Sequence, residues 1–247
     1  MTVALWDVAE ITAVADAIRA KKGTSNTMKV SEMPAEIASI PSGSPEVWKE
    51  CWLEKPKGSP TTLFIDTGIT ADPNHELTLT VRSSAAEMSA PFNSCTDSGN
   101  RYGINFLPGT NKVQLFWGTY ANTSISVTRD SLDVVQPMII TQNKSGISIS
   151  GYGSGGNVKT WSQTYTGAGS GTNATYKLFT YARNTGIHFG LFRSAEIKNA
   201  SSETIATIVP EVDNNFVARL KITEGENVRY VPVAAGFVCH VDNVAAS

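Results

Sequence analysis

The sequence predicts a mainly β protein, an antiparallel two-sheet sandwich preceded by a small helical N-terminal module. Three observations carry that expectation. From Thr61 to Ile197 the chain is dominated by Ser, Thr, Gly, Asn and aromatic residues in short alternating runs bounded by turn chemistry. Such a pattern describes many short strands rather than a helical or α/β core. Residues 7 to 40 instead carry apolar residues at helical spacing. Between the two lies Pro41-Ser42-Gly43-Ser44-Pro45, a linker by composition.

Composition narrows the function classes. A chain of 247 residues holds one large or two modest domains, and 41% apolar residues with 17% charged residues is the make-up of a folded protein. A net charge of −2 gives no electrostatic case for nucleic acid or an anionic membrane. No apolar run approaches the ~20 residues of a membrane span. Met1-Thr2-Val3-Ala4-Leu5-Trp6-Asp7 has neither a basic stretch nor a long apolar core, so the expectation is a soluble chain made in a cytoplasm without a cleaved leader. The three cysteines, Cys51, Cys95 and Cys239, are scattered and odd in number. Buried free thiols are expected, not a disulfide framework or a metal site.

Residues 7–22 form the first helix. Asp7 caps it with Glu10 three residues on, and Val8, Ile11, Val14, Ala15 and Ile18 make one apolar face. Lys21 and Lys22 suit its negative end, and Gly23 stops it. A shorter helix follows, capped by Ser31, striped by Met33, Ile37 and Ile40, and ended by Pro41. Two helices in about forty residues cannot bury both stripes alone. Residues 1–41 therefore read as an attachment or oligomerisation module, docked on copies of itself or on a larger assembly.

Residues 42–60 read as linker and lead-in. Trp48 and Trp52 share a face under either period, and a strand is favoured. Strands are then expected at about 62–66, 76–82, 101–107, 112–117, 123–128, 134–141, 146–150, 158–165, 176–182, 187–197 and 203–209. Leu77, Leu79 and Val81 alternate with Thr78, Thr80 and Arg82, as a half-buried antiparallel strand requires. Leu107 to Asn111 and Gly167 to Gly171 are loops by chemistry. Strands of this number and length suit a two-sheet jelly roll over residues 61–212. Residues 213–247 add strand-like runs, Asn215 to Ile222 and Val228 to Val233, that could complete a sheet, cover an edge or reach a neighbouring subunit.

Several motifs have a plain reading beside a functional one. Gly151-Tyr152-Gly153-Ser154-Gly155-Gly156 matches a dinucleotide fingerprint, but strand-like Asn157-Val158-Lys159-Thr160-Trp161 follows where a helix is needed. A glycine-rich hairpin loop is the better reading. The Asn-X-Ser/Thr sites at Asn122, Asn143, Asn173 and Asn199 are expected by chance in such a composition. His75, His188 and His240 lack metal-ligand spacing, and no GxSxG elbow supports a triad. Asp130 and Asp133 share a turn and Glu196 stands alone, so the facing carboxylates of a glycosidase are missing. Asp72, Asn74 and Asp97 are loop oxygens of the kind that hold calcium, yet Asx residues in turns more often serve the backbone, and no cofactor or metal is expected. Trp117, Tyr120, Tyr152, Trp161 and Tyr165 lie at strand ends or beside glycine-rich loops. Trp117, within Leu115-Phe116-Trp117, reads as core. Tyr120, Tyr152, Trp161 and Tyr165 are the candidate ligand-binding residues, because sugars stack on such rings while Asn, Asp and Ser fix the hydroxyls.

Ile65-Asp66-Thr67-Gly68-Ile69 resembles the opening strand of the concanavalin-A-like (laminin-G-like) jelly rolls of tailed-bacteriophage virion proteins. Arg101 to Phe106, Val113 to Gly118 and Lys177 to Ala182 are similar to its inner strands. Gly190 to Ile197 with Ile205 to Pro210 resembles its closing pair. Ala15 to Gly23 and Met33 to Ile37 are similar to a short module that precedes such domains in tail and fibre proteins. The resemblance spans roughly residues 10 to 210, and the chain departs from the pattern after Pro210. It implies a structural protein of the virion, synthesised in the bacterial host cytoplasm, in the tail, baseplate or a fibre. The helical module would contact other virion proteins or hold a homo-oligomer together, a trimer being favoured, and the jelly roll would bind host-surface glycan. The alternatives are a non-binding capsid decoration, head-fibre or neck accessory protein, and a glycan depolymerase.

Overall fold

The computed structural model describes Asp16 and residues 47–56, 58–60, 62–82, 89–95, 101–107, 112–118, 120–126, 137–152, 158–166, 174–181, 185–186 and 190–241. The chain divides into two compact units, Met1–Val47 and Trp48–Ser247. The apolar face assigned to the N-terminal module (Val8, Ile11, Val14, Ala15, Ile18, Met33, Ile37, Ile40) lies outside the described residues.

The second unit is built from antiparallel strands, numbered here in chain order. The larger, ten-stranded sheet runs β10 (Val158–Thr164), β9 (Gly146–Tyr152), β8 (Met138–Asn143), β3 (Glu76–Arg82), β14 (Gly190–Lys198), β1 (Lys49–Lys55), β15 (Thr204–Val212), β16 (Ala218–Glu224) and β17 (Asn227–Pro232), with β18 (Val238–Val241) paired to β1. The six-stranded sheet runs β2 (Ile65–Thr70), β11 (Thr175–Leu178), β4 (Ser89–Cys95), β5 (Arg101–Phe106), β6 (Lys112–Gly118) and β7 (Tyr120–Ser126). A two-residue ladder joins β12 (Thr180–Tyr181) to β13 (Thr185–Gly186).

One continuous core lies between the two large sheets, filled by alternate residues of their strands. Leu77, Leu79 and Val81 of β3, Ile140 of β8, Ile149 of β9 and Ile197 of β14 come from one side. Ile104 and Phe106 of β5, Leu115 and Trp117 of β6, and Leu178 of β11 come from the other. Phe92 of β4 stacks on Phe192 of β14 across the gap, 6.0 Å between centroids. A polar bridge also crosses it: Gln142 Nε2 donates to the Phe116 carbonyl at 3.1 Å. That bond explains how an amide occupies an inward position of β8 where alternation calls for an apolar side chain.

Several strands differ from expectation for identifiable reasons. β4 was not anticipated, because Pro91 argues against an interior strand. It is nevertheless interior, and the ladder accommodates the proline by shifting register between Ser89 and Phe92. The next strand answers with a glycine. Gly103 has φ 142°, and a Cβ there would meet Asn93 Oδ1 at 2.2 Å. β2 begins later than expected because Leu63 N–H closes a turn onto the Pro60 carbonyl. β9 and β10 pair from Tyr152↔Val158 to Gly146↔Thr164, and residues 153–157 of the glycine-rich stretch lie outside the described residues.

The closing pair is a hairpin whose strands part at one end. β14 pairs with β15 from Ala195↔Ile208 to Lys198↔Thr204, and beyond that the two diverge. β1 fills the fork, pairing Leu53 to Lys55 with β14 and Lys49 and Glu50 with β15. The residues after Pro210 complete this sheet. β16 pairs along β15, β17 along β16, and β18 returns to β1. Arg229 of β17 reaches across to the other sheet, where its Nη2 donates to the Thr67 carbonyl.

Candidate functional site

The outward face of the ten-stranded sheet carries most of the exposed chemistry, and it has two halves. In the first, Trp48 just ahead of β1 and then Glu50, Trp52 and Glu54 of β1 follow in succession, because alternation turns Cys51 and Leu53 inward. Each outward residue meets a basic side chain from a different strand. The Arg219 guanidinium of β16 lies 3.5 Å from the Trp48 ring centroid and 3.7 Å from that of Tyr230. Its Nε and Nη2 donate to Glu211 Oε2 at 3.1 and 2.9 Å. Arg193 Nη2 donates to Glu50 Oε2 at 3.2 Å. Arg82 sits 4.1 Å over Trp52, and His240 Nε2 lies 2.5 Å from Glu54 Oε2. Charges and π faces are matched along the row, so one face of each of these rings is already covered.

The second half, on β8, β9 and β10, presents no charged side chain in its outward rows. Register places Thr141, Ser148 and Ser162 side by side across three strands, with Ile139, Ser150 and Thr160 in the next row and Asn143, Gly146 and Thr164 in the row beyond. A shallow groove of about 260 Å³ opens over Thr141, Ser148, Ser162 and Thr164. No charged side chain lines it. The signal for this surface is present in the sequence, in the alternating hydroxyls of Ser148 and Ser150 and of Thr160, Ser162 and Thr164, but only strand register brings them together. A second cavity, about 420 Å³ and apolar, opens beside the Asp213–Val217 turn between Phe216 and Phe237.

Of the aromatic residues named from sequence, Tyr152, Trp161 and Tyr165 lie on or beside the β9–β10 ribbon and Tyr120 in the other sheet. Trp161 and Tyr165 are half-buried and pack against the core, on the inward side of the β9–β10 ribbon. The Tyr165 N–H closes onto the Ser145 carbonyl at 3.0 Å. Tyr152 ends β9 opposite Val158 on the same ribbon, whereas Tyr120 begins β7 opposite Trp117 in the other sheet. The side chains of Tyr152 and Tyr120 lie outside the described residues. Trp117 is fully buried, as expected, and its Nε1–H donates to the Pro73 carbonyl at 3.0 Å.

The oxygens considered for calcium serve the loop itself. Asp72 Oδ1 accepts the Asn74 backbone N–H at 2.7 Å, an Asx turn, and Asn74 Oδ1 accepts Lys144 Nζ at 3.2 Å. Asp97, Asp130, Asp133 and His188 lie outside the described residues. Among the described residues, no group of three or more His, Cys, Asp and Glu gathers as a metal site would require. His75 Nδ1 lies 3.2 Å from the Tyr176 hydroxyl beneath this loop. Burial pushes its imidazole below the ordinary value, against the opposing pull of Asp72. Cys51 is a buried free thiol and Cys239 a half-buried one. A hydrogen bond from Cys51 holds the Cys239 thiol below its ordinary pKa. Glu196 accepts the Thr204 hydroxyl at 2.5 Å and pairs with Lys198 at 3.7 Å.

No protein-family model matches the chain, and no curated protein matches it. Among solved structures, the LG1-3 region of the laminin alpha2 chain is similar at 10% identity and a TM-score of 0.46, over 78% of this chain and 35% of that one. The chain thus spans about a third of the length of that laminin structure.

Proposed function

We propose that this chain is a non-catalytic structural and recognition component of a bacteriophage particle, in the tail, baseplate or a fibre. Its N-terminal unit fixes it to other virion proteins or to further copies of itself, three in all being favoured. Its sandwich, of the concanavalin-A-like jelly-roll class, is displayed for host-surface glycan. The observation that carries this reading is the division of the chain at Val47, which leaves a short unit ahead of a sandwich with a continuous core of its own. The family-like motifs quoted above fall on elements of that sandwich: β2, β5, β6 and β11 in one sheet, and the closing hairpin β14–β15 in the other.

Binding rather than catalysis is supported by the state of the outward carboxylates. Glu50, Glu54, Glu196 and Glu211 are each engaged by a basic side chain or a hydroxyl, whereas a glycosidase needs a free pair facing one another. The assignment to glycan rests on the uncharged hydroxyl face of β8–β10, because a fold by itself does not fix a ligand.

Immunogold labelling of purified particles with antibody to the full chain tests the virion half. Label at the tail, baseplate or fibres is expected. Label confined to the head would favour the decoration role, and absence from purified particles would overturn the proposal. Probing bacterial-surface polysaccharides with the chain displayed multivalently tests the recognition half.

A further inference from the structure

The groove on the outward face of β8–β10 has features that loop-borne sugar sites do not need. Its floor is Gly146, where an added Cβ would lie 2.7 Å from the Gln163 carbonyl oxygen. A side chain there would both fill the groove and strain the ribbon. Around that bare floor stand the hydroxyls of Thr141, Ser148, Ser162 and Thr164. Neighbouring strands lie about 4.8 Å apart, with alternate residues of one strand about 7 Å apart, which is the scale of the hydroxyls around one pyranose ring.

The walls are fixed from behind. Thr141 Oγ1 lies 3.4 Å from Thr78 Oγ1, and Asn143 Nδ2 donates to Glu76 Oε2 at 2.9 Å. The β8–β9 turn is held by the Ser145 N–H on Asn143 Oδ1 at 2.8 Å, by Lys144 on Asn74 and by the Tyr165 N–H on Ser145. Among the described residues, Ser148, Ser162 and Thr164 use their hydroxyls in no such bond, so donors and acceptors stand ready without rearrangement. A charged ligand would find no counter-charge in the groove, and an apolar one would desolvate the hydroxyls without replacing their hydrogen bonds.

We propose that this groove is a subsite for a single neutral hexose unit of a larger glycan, gripped by Thr141, Ser148, Ser162 and Thr164 over the Gly146 floor. This rests on the glycan-recognition reading above and names where the contact is made. Shallow and without an aromatic platform, the subsite binds weakly alone and works through several copies.

The test uses the biotinylated full chain on streptavidin against a panel of purified capsular and O-antigen polysaccharides. The outward, exposed Ser162 is changed to Phe, which fills the groove. Thr160→Phe, on the same face outside the groove, is the control. Wild type and T160F should bind the same polysaccharides, and S162F should lose roughly tenfold or more. The pair S148A/T164A, which removes hydroxyls without adding bulk, should lose at least about threefold even if S162F fails to fold. Unchanged binding by S162F and S148A/T164A would overturn the subsite and leave glycan recognition standing. Failure of wild type to bind any of the panel would overturn both.

Discussion

Lys55 provides the most direct measurement of how dry this sandwich is. Its side chain is fully buried at the end of β1, opposite Gly190, and among the described residues its ammonium has a single acceptor, the Leu63 carbonyl at 2.6 Å. Burial lowers its pKa from 10.5 to about 8. The folded protein therefore releases this proton more readily than the unfolded chain does. Stability contributed by this group is greatest above pH 10.5 and is lost as pH falls through about 8. At about 1.4 kcal/mol per pH unit, the full difference is at most about 3.5 kcal/mol. Pro56 and Leu63 are only half-buried, so water near the turn screens the charge, and about 1–2 kcal/mol is the expected effect.

The perturbation is Lys55→Met, which keeps the length of the side chain and removes the charge. Urea unfolding of wild type should show stability rising by about 1 kcal/mol between about pH 7 and about pH 9.5. K55M should lack that rise and be the more stable protein at neutral pH, by about 1–2 kcal/mol. The comparison with K55M removes the contribution of Cys239, whose lowered pKa acts with the same sign. The window stops short of Tyr102 and Tyr176, whose phenols are pushed up by burial and act with the opposite sign. A wild type whose stability is flat or falling across the window would refute the reasoning. So would a K55M less stable at neutral pH, because the Leu63 bond would then outweigh the cost of the buried charge.

Arg219→Ala should cost about 2–3 kcal/mol in the same assay. It uncovers Trp48 and Tyr230 and leaves the largely buried Glu211 with only Lys221 at 3.7 Å. Arg219→Lys should recover less than half, since an ammonium cannot stack between two rings. Gly103→Ala should cost about 3 kcal/mol or more, measured by thermal unfolding, because neither φ 142° nor the Asn93 contact at 2.2 Å admits a side chain. Phe216→Gly should stabilise by about 0.5–1 kcal/mol, read as an upward shift in urea midpoint. The native phenylalanine sits at φ 61° and is 82% exposed at the tip of its turn.

What could be read in advance follows from where tertiary contacts decide. β3 was legible to the residue because Leu77, Leu79 and Val81 alternate with polar neighbours and the whole strand is half-buried. β4 was not, because proline counts against a strand locally and only the register shift between Ser89 and Phe92 makes room for it. The edges of β2 were displaced by a turn at Pro60 that no periodicity reveals. The same limit applies to the candidate site. Trp161 and Tyr165 were singled out for their chemistry, but an aromatic ring beside a glycine-rich loop can face either side of its strand, and these two pack on the core. The hydroxyl face needed the pairing of three strands, a fact about register rather than about any one segment.

Register also fixes how firmly the first strand of the sandwich is held. β1 follows the boundary at Val47 directly, yet it is an interior strand, with Leu53 paired to Phe192 of β14 on one edge and to Cys239 of β18 on the other. Its Lys49 and Glu50 are clasped by β15 at the open end of the closing hairpin. The outward side chains of the same strand are tied to β16, β14, β3 and β18 through Arg219, Arg193, Arg82 and His240. A pull entering at Trp48 therefore meets β1 along its length, with ladder bonds on both edges opposing withdrawal. An edge strand in that position would present one ladder only. Strand order thus makes the strand that follows residue 47 one that cannot leave without opening the sheet.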